Sequence, residues 1–390
     1  MSVAISGPET TYPAGAADAR GADVRITALE AIPFAVPYRR PAGFASGTVT
    51  MADNVLVRVH TDAGLVGQAE AQPRPYTYGE TQASIVHAIR TTLEDLLVGL
   101  NPLDTEAVNA RCGRIAGNHV ARGAVDLAVW DLVGKVLDRP CHTLLGGYAC
   151  EVTAAYMVSF GTPEEMAADA ADVHERLGVG TFKVKVGRDP DLDVAATRAI
   201  RNALPDAELY VDANRGWSYD DALRAGDALL GLGVRAIEEP ISVDDRAGRR
   251  RLAERWPVPL MGDESCISLA HVDRALEEGA VRAVSVKTAR TGFTESRRIV
   301  DLCVARSTPV VVGSQYEGAA GALATIAFAA ALAATAGRPA EIVNFLDLAD
   351  DLVVSPPEIR DGRAATSGAA GIGIEIDEER LQRYRVDREA

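Results

Sequence analysis

Thr181-Phe182-Lys183-Val184-Lys185-Val186-Gly187 is a short apolar run with two lysines set near its far end. Four more runs follow it. They end in Val211-Asp212-Ala213-Asn214, Ile237-Glu238-Glu239-Pro240, Met261-Gly262-Asp263-Glu264-Ser265 and Val286-Lys287-Thr288. The charged positions 185, 212, 238, 263 and 287 are separated by 27, 26, 25 and 24 residues. That interval holds one buried strand, a loop and one helix, the unit from which parallel sheets are built.

Outward from this stretch the unit repeats. Strands are expected at Val152–Val158, Thr181–Val186, Glu208–Asp212, Ala236–Glu239, Pro259–Asp263, Val281–Lys287, Pro309–Gly313 and Glu341–Phe345. The segments between them carry helix punctuation. Thr162-Pro163-Glu164-Glu165 reads as a capping box with proline in the first turn, Ser218, Ser268 and Thr294 read as N-caps, and Gly178, Gly233 and Gly279 as stops. Eight β units with a helix between successive units predict an α/β fold, a TIM-type barrel of the modified (β/α)7β kind, over 148–360.

The segment 24–147 reads as an α+β capping domain. Val55, Val57 and Val59 alternate with Leu56, Arg58 and His60, and Thr61-Asp62-Ala63-Gly64 turns the chain into Leu65-Val66-Gly67, a hairpin pattern. A helix is expected at Ala121 to Val136. The C-terminal segment 361–390, with Ile372, Ile374 and Ile376 alternating, is expected to return and complete the cap. The Ala-, Gly- and Pro-rich stretch 1–23 lacks a basic start and an apolar core, so it reads as a flexible tail rather than a secretory signal. The apolar run Ala319 to Ala336 is made of small residues and reads as a buried helix, not a membrane span.

Hydrophobic residues make up 47% of the 390 and charged ones 24%, enough for a large core. A net charge of -15 argues against nucleic acid as a partner, because phosphates would be repelled. Five scattered cysteines without a Cys-x-x-Cys motif suit reduced thiols and a cytoplasmic setting.

In a barrel the ends of successive strands form one ring at the mouth, where catalytic groups sit. The spacing therefore places three carboxylates side by side with a lysine on either flank. Acids that close repel one another unless they share a proton or a cation, and magnesium prefers such oxygen donors. One charge at a strand end is ordinarily a solvated loop residue; five in barrel register are hard to explain that way. Within Glu238-Glu239 either residue is a candidate donor, with Glu238 preferred.

Lys183-x-Lys185, Asp212-x-Asn214, Glu238-Glu239-Pro240, Asp263-Glu264-Ser265 and Lys287 resemble the muconate lactonizing enzyme subgroup of the enolase superfamily. The resemblance extends over about 24–385, including Ala124-Val125-Asp126-Leu127-Ala128-Val129-Trp130-Asp131 and Leu348-Ala349-Asp350-Asp351. It implies that Asp212, Glu238 and Asp263 bind Mg2+, with Mn2+ an alternative. It also implies that Lys185 and Lys287 exchange a proton with a small-molecule carboxylate from opposite faces. Lys183 would lower the proton affinity of Lys185 and steady the enolate. An ordinary lysine, with a pKa of about 10.4, is protonated at neutral pH, so a neighbouring ammonium and a divalent cation are the means of making it a base.

The same resemblance points to Asn214, Glu264, Ser314 and Glu317 as substrate contacts or their supports. It also points to Tyr38, Arg39 and Tyr76 on segments over the mouth, Pro37 to Met51 and Gln72 to Tyr78. No histidine falls at a late strand end, which favours lysine chemistry. Glu341-Ile342-Val343 lacks the Asp-x-Asp of dipeptide epimerases, which disfavours a dipeptide, and Asp347 just beyond reads as a loop residue. The expected reaction is racemisation or epimerisation of an amino-acid derivative or related carboxylate. Cycloisomerisation or dehydration through the same half-reaction are alternatives, and a Schiff-base lysine aldolase is the reading from another class. A homo-oligomer, dimer or octamer, is expected by the same analogy.

Overall fold

A computed structural model describes residues 23–44 and 47–387. The stretch read as a tail lies outside the described residues except for Asp23. Three antiparallel strands open the chain: β1 (Ile26–Phe44), β2 (Gly47–Thr61) and β3 (Val66–Ala71), in the order β1-β2-β3. The segment Pro37 to Met51, expected as a loop, belongs instead to the far ends of β1 and β2. Its backbone ladder continues through Ala42↔Val49 and Gly43↔Thr48 after a register shift that follows Pro37. β1 tolerates Pro33, Pro37 and Pro41 because it is an edge strand.

The expected hairpin is β2–β3, and the helix His119–Leu137 packs across it. The approach is close enough that a Cβ on Gly67 would stand 2.0 Å from Ala128 O. Only glycine lets backbone and helix meet there.

Eight parallel strands then form the barrel: β4 (Glu151–Val158), β5 (Thr181–Lys185), β6 (Glu208–Asp212), β7 (Ile237–Glu238), β8 (Leu260–Gly262), β9 (Ala283–Val286), β10 (Val310–Val312) and β11 (Ala340–Glu341). They pair in the order β10-β9-β8-β7-β6-β5-β4-β11, a nearly closed barrel. No helix of the ring follows β11, which gives the (β/α)7β form. Lys185 pairs with Asp212 and Asp212 with Glu238, so the charged strand ends stand level. The capping box at Thr162 and the N-caps at Ser218 and Ser268 form as read. The apolar run Ala319 to Ala336 becomes the buried helix Ala319–Ala331 and, after an extended Leu332, the short helix Ala333–Ala336. No helix among the described residues is long and apolar enough to cross a membrane.

Two expectations need correction. The eighth strand is shorter than Glu341–Phe345, because Asn344–Asp347 coils into a 3-10 turn. There the Asn344 side chain takes the place of a strand, donating to Met157 O (3.1 Å) and accepting from Met157 N (3.2 Å). Thr294 is not an N-cap acceptor. The helix Thr288–Ala305 is broken at Gly292, φ 63°. Asp126, from the cap helix, accepts from the amides of Phe293 (2.7 Å) and Thr294 (2.9 Å) and from the Thr294 hydroxyl (2.6 Å). The exposed amides that follow the break are thus met by an acid from another element.

The C-terminal segment starts on the barrel and ends on the cap. A final strand, β12 (Arg363–Ala365), runs antiparallel to β4; Ile372, Ile374 and Ile376 are buried; Arg385 bridges to Phe34 of β1. Cap and barrel are further joined at the loop after β10. Glu70 accepts from the amides of Gly318 (2.9 Å) and Gly321 (3.1 Å), and Asp351 from that of Ala319 (2.8 Å), at the positive end of the helix Ala319–Ala331. Gln72 Nε2 donates to Tyr316 O and Arg74 to Gln315 O.

Candidate active site

A cavity of about 910 Å³ lies between the barrel mouth and the cap. Lys185, Asp263, Glu264 and Lys287 line it from the barrel, and Arg74, Tyr76 and Tyr78 from the cap. Asp212 and Glu238 lie fully buried beneath.

The acids and amines interlock. Lys185 Nζ donates to Asp212 Oδ2 and to Asn214 Oδ1, both at 2.7 Å. Lys183 Nζ is 3.1 Å from Asp212, 3.1 Å from Glu341 and donates to Glu238 Oε1 at 3.0 Å. It also lies 2.9 Å from Glu238 Oε2, but without the alignment of a hydrogen bond, so that oxygen counts as unpartnered. Lys287 Nζ is 2.6 Å from Asp263 Oδ2, and Arg290 donates to Asp263 Oδ1 at 2.7 Å.

Burial pulls against charge throughout. It raises the pKa of Asp212, but Lys183 and Lys185 outweigh it and hold that acid at about 2. Asp263 is likewise lowered, by Lys287 and Arg290 against burial. Glu238 is raised well above the carboxylate range by burial and by Asp212, and Glu264 is pushed up to about 7 by burial and by Asp263. Lys287 is raised, because the charge of Asp263 overcomes burial.

Among the described residues no three acidic, histidine or cysteine side chains converge into a ready metal shell, since each acid turns toward an ammonium. The donor set nonetheless suits a hard divalent cation. Glu238 Oε2 and Glu264 Oε2 are buried oxygens without a hydrogen bond, and Asp212 and Asp263 are anionic beside them.

The glutamate pair divides its work. Glu238 faces the acids, while Glu239 accepts from Arg249 (2.5 Å), Asp263 N (2.7 Å) and Ser265 N (2.9 Å) and so fixes the neighbouring loop. Asn214 and Glu264 join the lysine network through a 3.1 Å bond between them. Ser314 lines the cavity, but Glu317 turns away, its carboxylate taken by the Ser314 hydroxyl (2.7 Å), Gln315 N (2.5 Å) and Thr325 (3.2 Å). Tyr76 stands exposed at the mouth. Tyr38 is buried with its ring 5.2 Å from that of Tyr316, outside the cavity wall. Arg39 lies on a neighbouring cavity of about 610 Å³, which Tyr316 separates from the first.

Four contributors were not singled out from sequence. Glu341 lies 3.1 Å from Lys183 and accepts from the hydroxyl of Tyr210, which stands beside Lys183 on the next strand, and Gln72 and Gln315 face the cavity. Arg290, three residues after Lys287, is a fifth, and its helical spacing from a site lysine was the available signal.

Comparison with known proteins agrees with this geometry. The family description "Mandelate racemase / muconate lactonizing enzyme, N-terminal domain" matches residues 28–146, and "Enolase C-terminal domain-like" matches 165–380. The chain is 32% identical to the L-Ala-D/L-Glu epimerase of Bacillus subtilis over 313 residues, 79% of this chain and 85% of that protein. It is similar to the crystal structure of a muconate lactonizing enzyme from Mycobacterium smegmatis complexed with muconolactone, with a TM-score of 0.92 at 43% identity, covering 93% of this chain and 100% of that one. N-succinyl Arg/Lys racemase from Bacillus cereus follows with a TM-score of 0.88 at 27% identity, covering 93% and 98%. The chain belongs to the enolase superfamily, in its muconate lactonizing enzyme-like subgroup.

Proposed function

We propose that this protein is a magnesium-dependent enzyme that removes the proton α to a substrate carboxylate with a lysine base. In its principal reaction it would return a proton on the other face, racemising or epimerising an amino-acid derivative. One observation carries the reading: Lys185 and Lys287 rise from the second and sixth of eight barrel strands, hence from opposite walls, and line the same cavity. An amine on each side of one bound acid is what inversion at carbon requires.

Asp212, Glu238 and Asp263 would hold the cation, which when bound supplies positive charge to a carboxylate that gains a second negative charge as its α-proton leaves. Asn214 fixes the Lys185 amine at the level of the acids through its 2.7 Å bond. Lys183, gripped by Asp212, Glu238 and Glu341, is a fixed cation beneath it. Tyr78 donates no charge but packs under the Arg290 guanidinium and closes the cavity from the cap side. A second reading, cycloisomerisation through the same proton transfer, is supported by the 43% identity to a muconate lactonizing enzyme.

Heavy water tests the proposal. N-acylated amino acids and unsaturated dicarboxylates are incubated with enzyme and magnesium, and the α-carbon is followed by proton NMR. Deuterium at that carbon with loss of optical activity is the expected result. Ring formation without racemisation would favour the second reading, and an absence of exchange in every acid bound would remove both.

A further inference from the structure

Two buried carboxamides face the substrate cavity with hydrogen-bonding atoms unused. Gln315 is 4% exposed and Gln72 1% exposed, and both line the cavity. Neither Oε1 nor Nε2 of Gln315 has a hydrogen-bond partner, and Gln72 Oε1 has none either. A buried polar atom without a partner costs free energy, so three such atoms on two residues lining one cavity are unusual for a merely structural surface.

The chemistry of the missing partner follows from the atoms. Gln72 Nε2 donates to Tyr316 O, and a carbonyl can only accept, so the orientation of this amide is fixed and Oε1 is its free end. For Gln315 both ends are unpaired, and exchanging them changes nothing. The wall therefore offers two unpartnered acceptors, Gln72 Oε1 and Gln315 Oε1, and one unpartnered donor nitrogen, Gln315 Nε2. A carboxylate brings only acceptors and would leave both oxygens idle. An ammonium brings only donors and would leave Nε2 idle. A secondary amide brings one N–H and one C=O in fixed relation and suits both kinds of group.

The backbone holds these side chains in place. Gln315 O accepts from Arg74 and Gln315 N donates to Glu317 at 2.5 Å, so the residue is pinned at both main-chain atoms while its carboxamide is left for the cavity. Lys185 and Lys287 line the same cavity. We infer that Gln72 and Gln315 form the recognition site for an amide in the substrate, making it an N-acylated α-amino acid whose carboxylate lies at the lysines. The inference rests on the proposed proton abstraction for the placement of the carboxylate, but the amide preference is measurable by binding alone.

Matched probes separate the two. An N-acetyl amino acid and the O-acetyl α-hydroxy acid with the same side chain differ by one N–H. Their dissociation constants are measured by calorimetry with magnesium present, and their α-exchange in heavy water. The wild type should favour the amide over the ester by about tenfold or more. Gln315→Leu should reduce that preference severalfold and melt no lower than wild type, because an apolar side chain replaces an unpaired buried carboxamide. Equal binding of amide and ester by the wild type, binding of neither, or an undiminished preference in Gln315→Leu overturns the inference. A retained amide preference without α-exchange would instead refute the proton-abstraction reading and leave the amide site standing.

Discussion

Arg290 donates to Asp263 Oδ1 at 2.7 Å, while Lys287 stands 2.6 Å from the other oxygen of the same carboxylate. Arg290 is fully buried, and it also donates to the Tyr78 hydroxyl at 2.9 Å. Removing one partner of a buried ion pair leaves an uncompensated charge and costs about 3–5 kcal/mol. Arg290→Met is expected to lower the melting temperature accordingly. Added magnesium should restore more stability to the variant than it adds to the wild type, because it can balance the buried charge of Asp263 that Arg290 no longer meets. Thermal melts with and without the cation check this, and an unchanged melt in its absence would contradict it.

Lys185→Ala and Lys287→Ala should each slow racemisation by about 10²–10⁴-fold. The informative result is asymmetric. Each variant keeps one lysine and should still exchange the α-proton of one enantiomer, with the two variants retaining opposite enantiomers. Loss of the same enantiomer in both would mean that the amines do not act from opposite faces.

Glu70 gives a pH dependence of defined sign. Burial, followed by Asp351, raises its pKa from 4.5 to about 7, against the lowering effect of its bonds from Gly318 and Gly321. The folded protein therefore keeps a proton that the unfolded chain releases. The resulting stability is present in full below about pH 4.5 and is lost as pH rises through 7, up to about 3 kcal/mol for a gap of this size. Glu70→Gln should flatten that part of the pH–stability curve. Urea unfolding at intervals from pH 4.5 to 8 measures it; a curve identical to wild type would exclude Glu70 as the source.

Tyr316→Gly should join two cavities. Among the described residues the tyrosine alone lines both the 910 Å³ and the 610 Å³ spaces, and its backbone has φ 68°, a conformation that glycine adopts freely. Relief of that strain offsets part of what is lost with the Tyr38 contact and the 2.6 Å bond to Asp347. A net loss of about 1–3 kcal/mol is expected. KM should fall for substrates with long acyl groups and stay level or rise for short ones. A chain-length series that shifts uniformly would show that Tyr316 does not divide the space.

The ring of charged strand ends was legible because barrel geometry converts a repeat of 24 to 27 residues into adjacency. Lys185, Asp212, Glu238, Asp263 and Lys287 needed no tertiary knowledge beyond that. Glu341 was hidden because it reaches Lys183 from the last barrel strand, and Tyr210, beside Lys183 on the next strand, bonds to Glu341 131 residues away, where no local pattern operates. Glu317 shows the opposite failure. An acid in a loop at the mouth looks available, yet its own neighbours Ser314 and Gln315 satisfy it. Thr294 was read as a cap, whereas the acceptor there is Asp126, 168 residues earlier. Local pattern sees what a residue offers, not which distant group arrives first.

The grip of the cap on the loop after β10 has a consequence for change over time. Gln72 and Arg74 hold that loop by the main-chain oxygens of Tyr316 and Gln315, not by the side chains. Every amino acid has such an oxygen. Position 315, whose side chain takes no part in the clasp, is therefore free to vary in size and polarity while the clasp persists, so new substrate preferences can arise at this edge of the pocket without loosening the joint that encloses it.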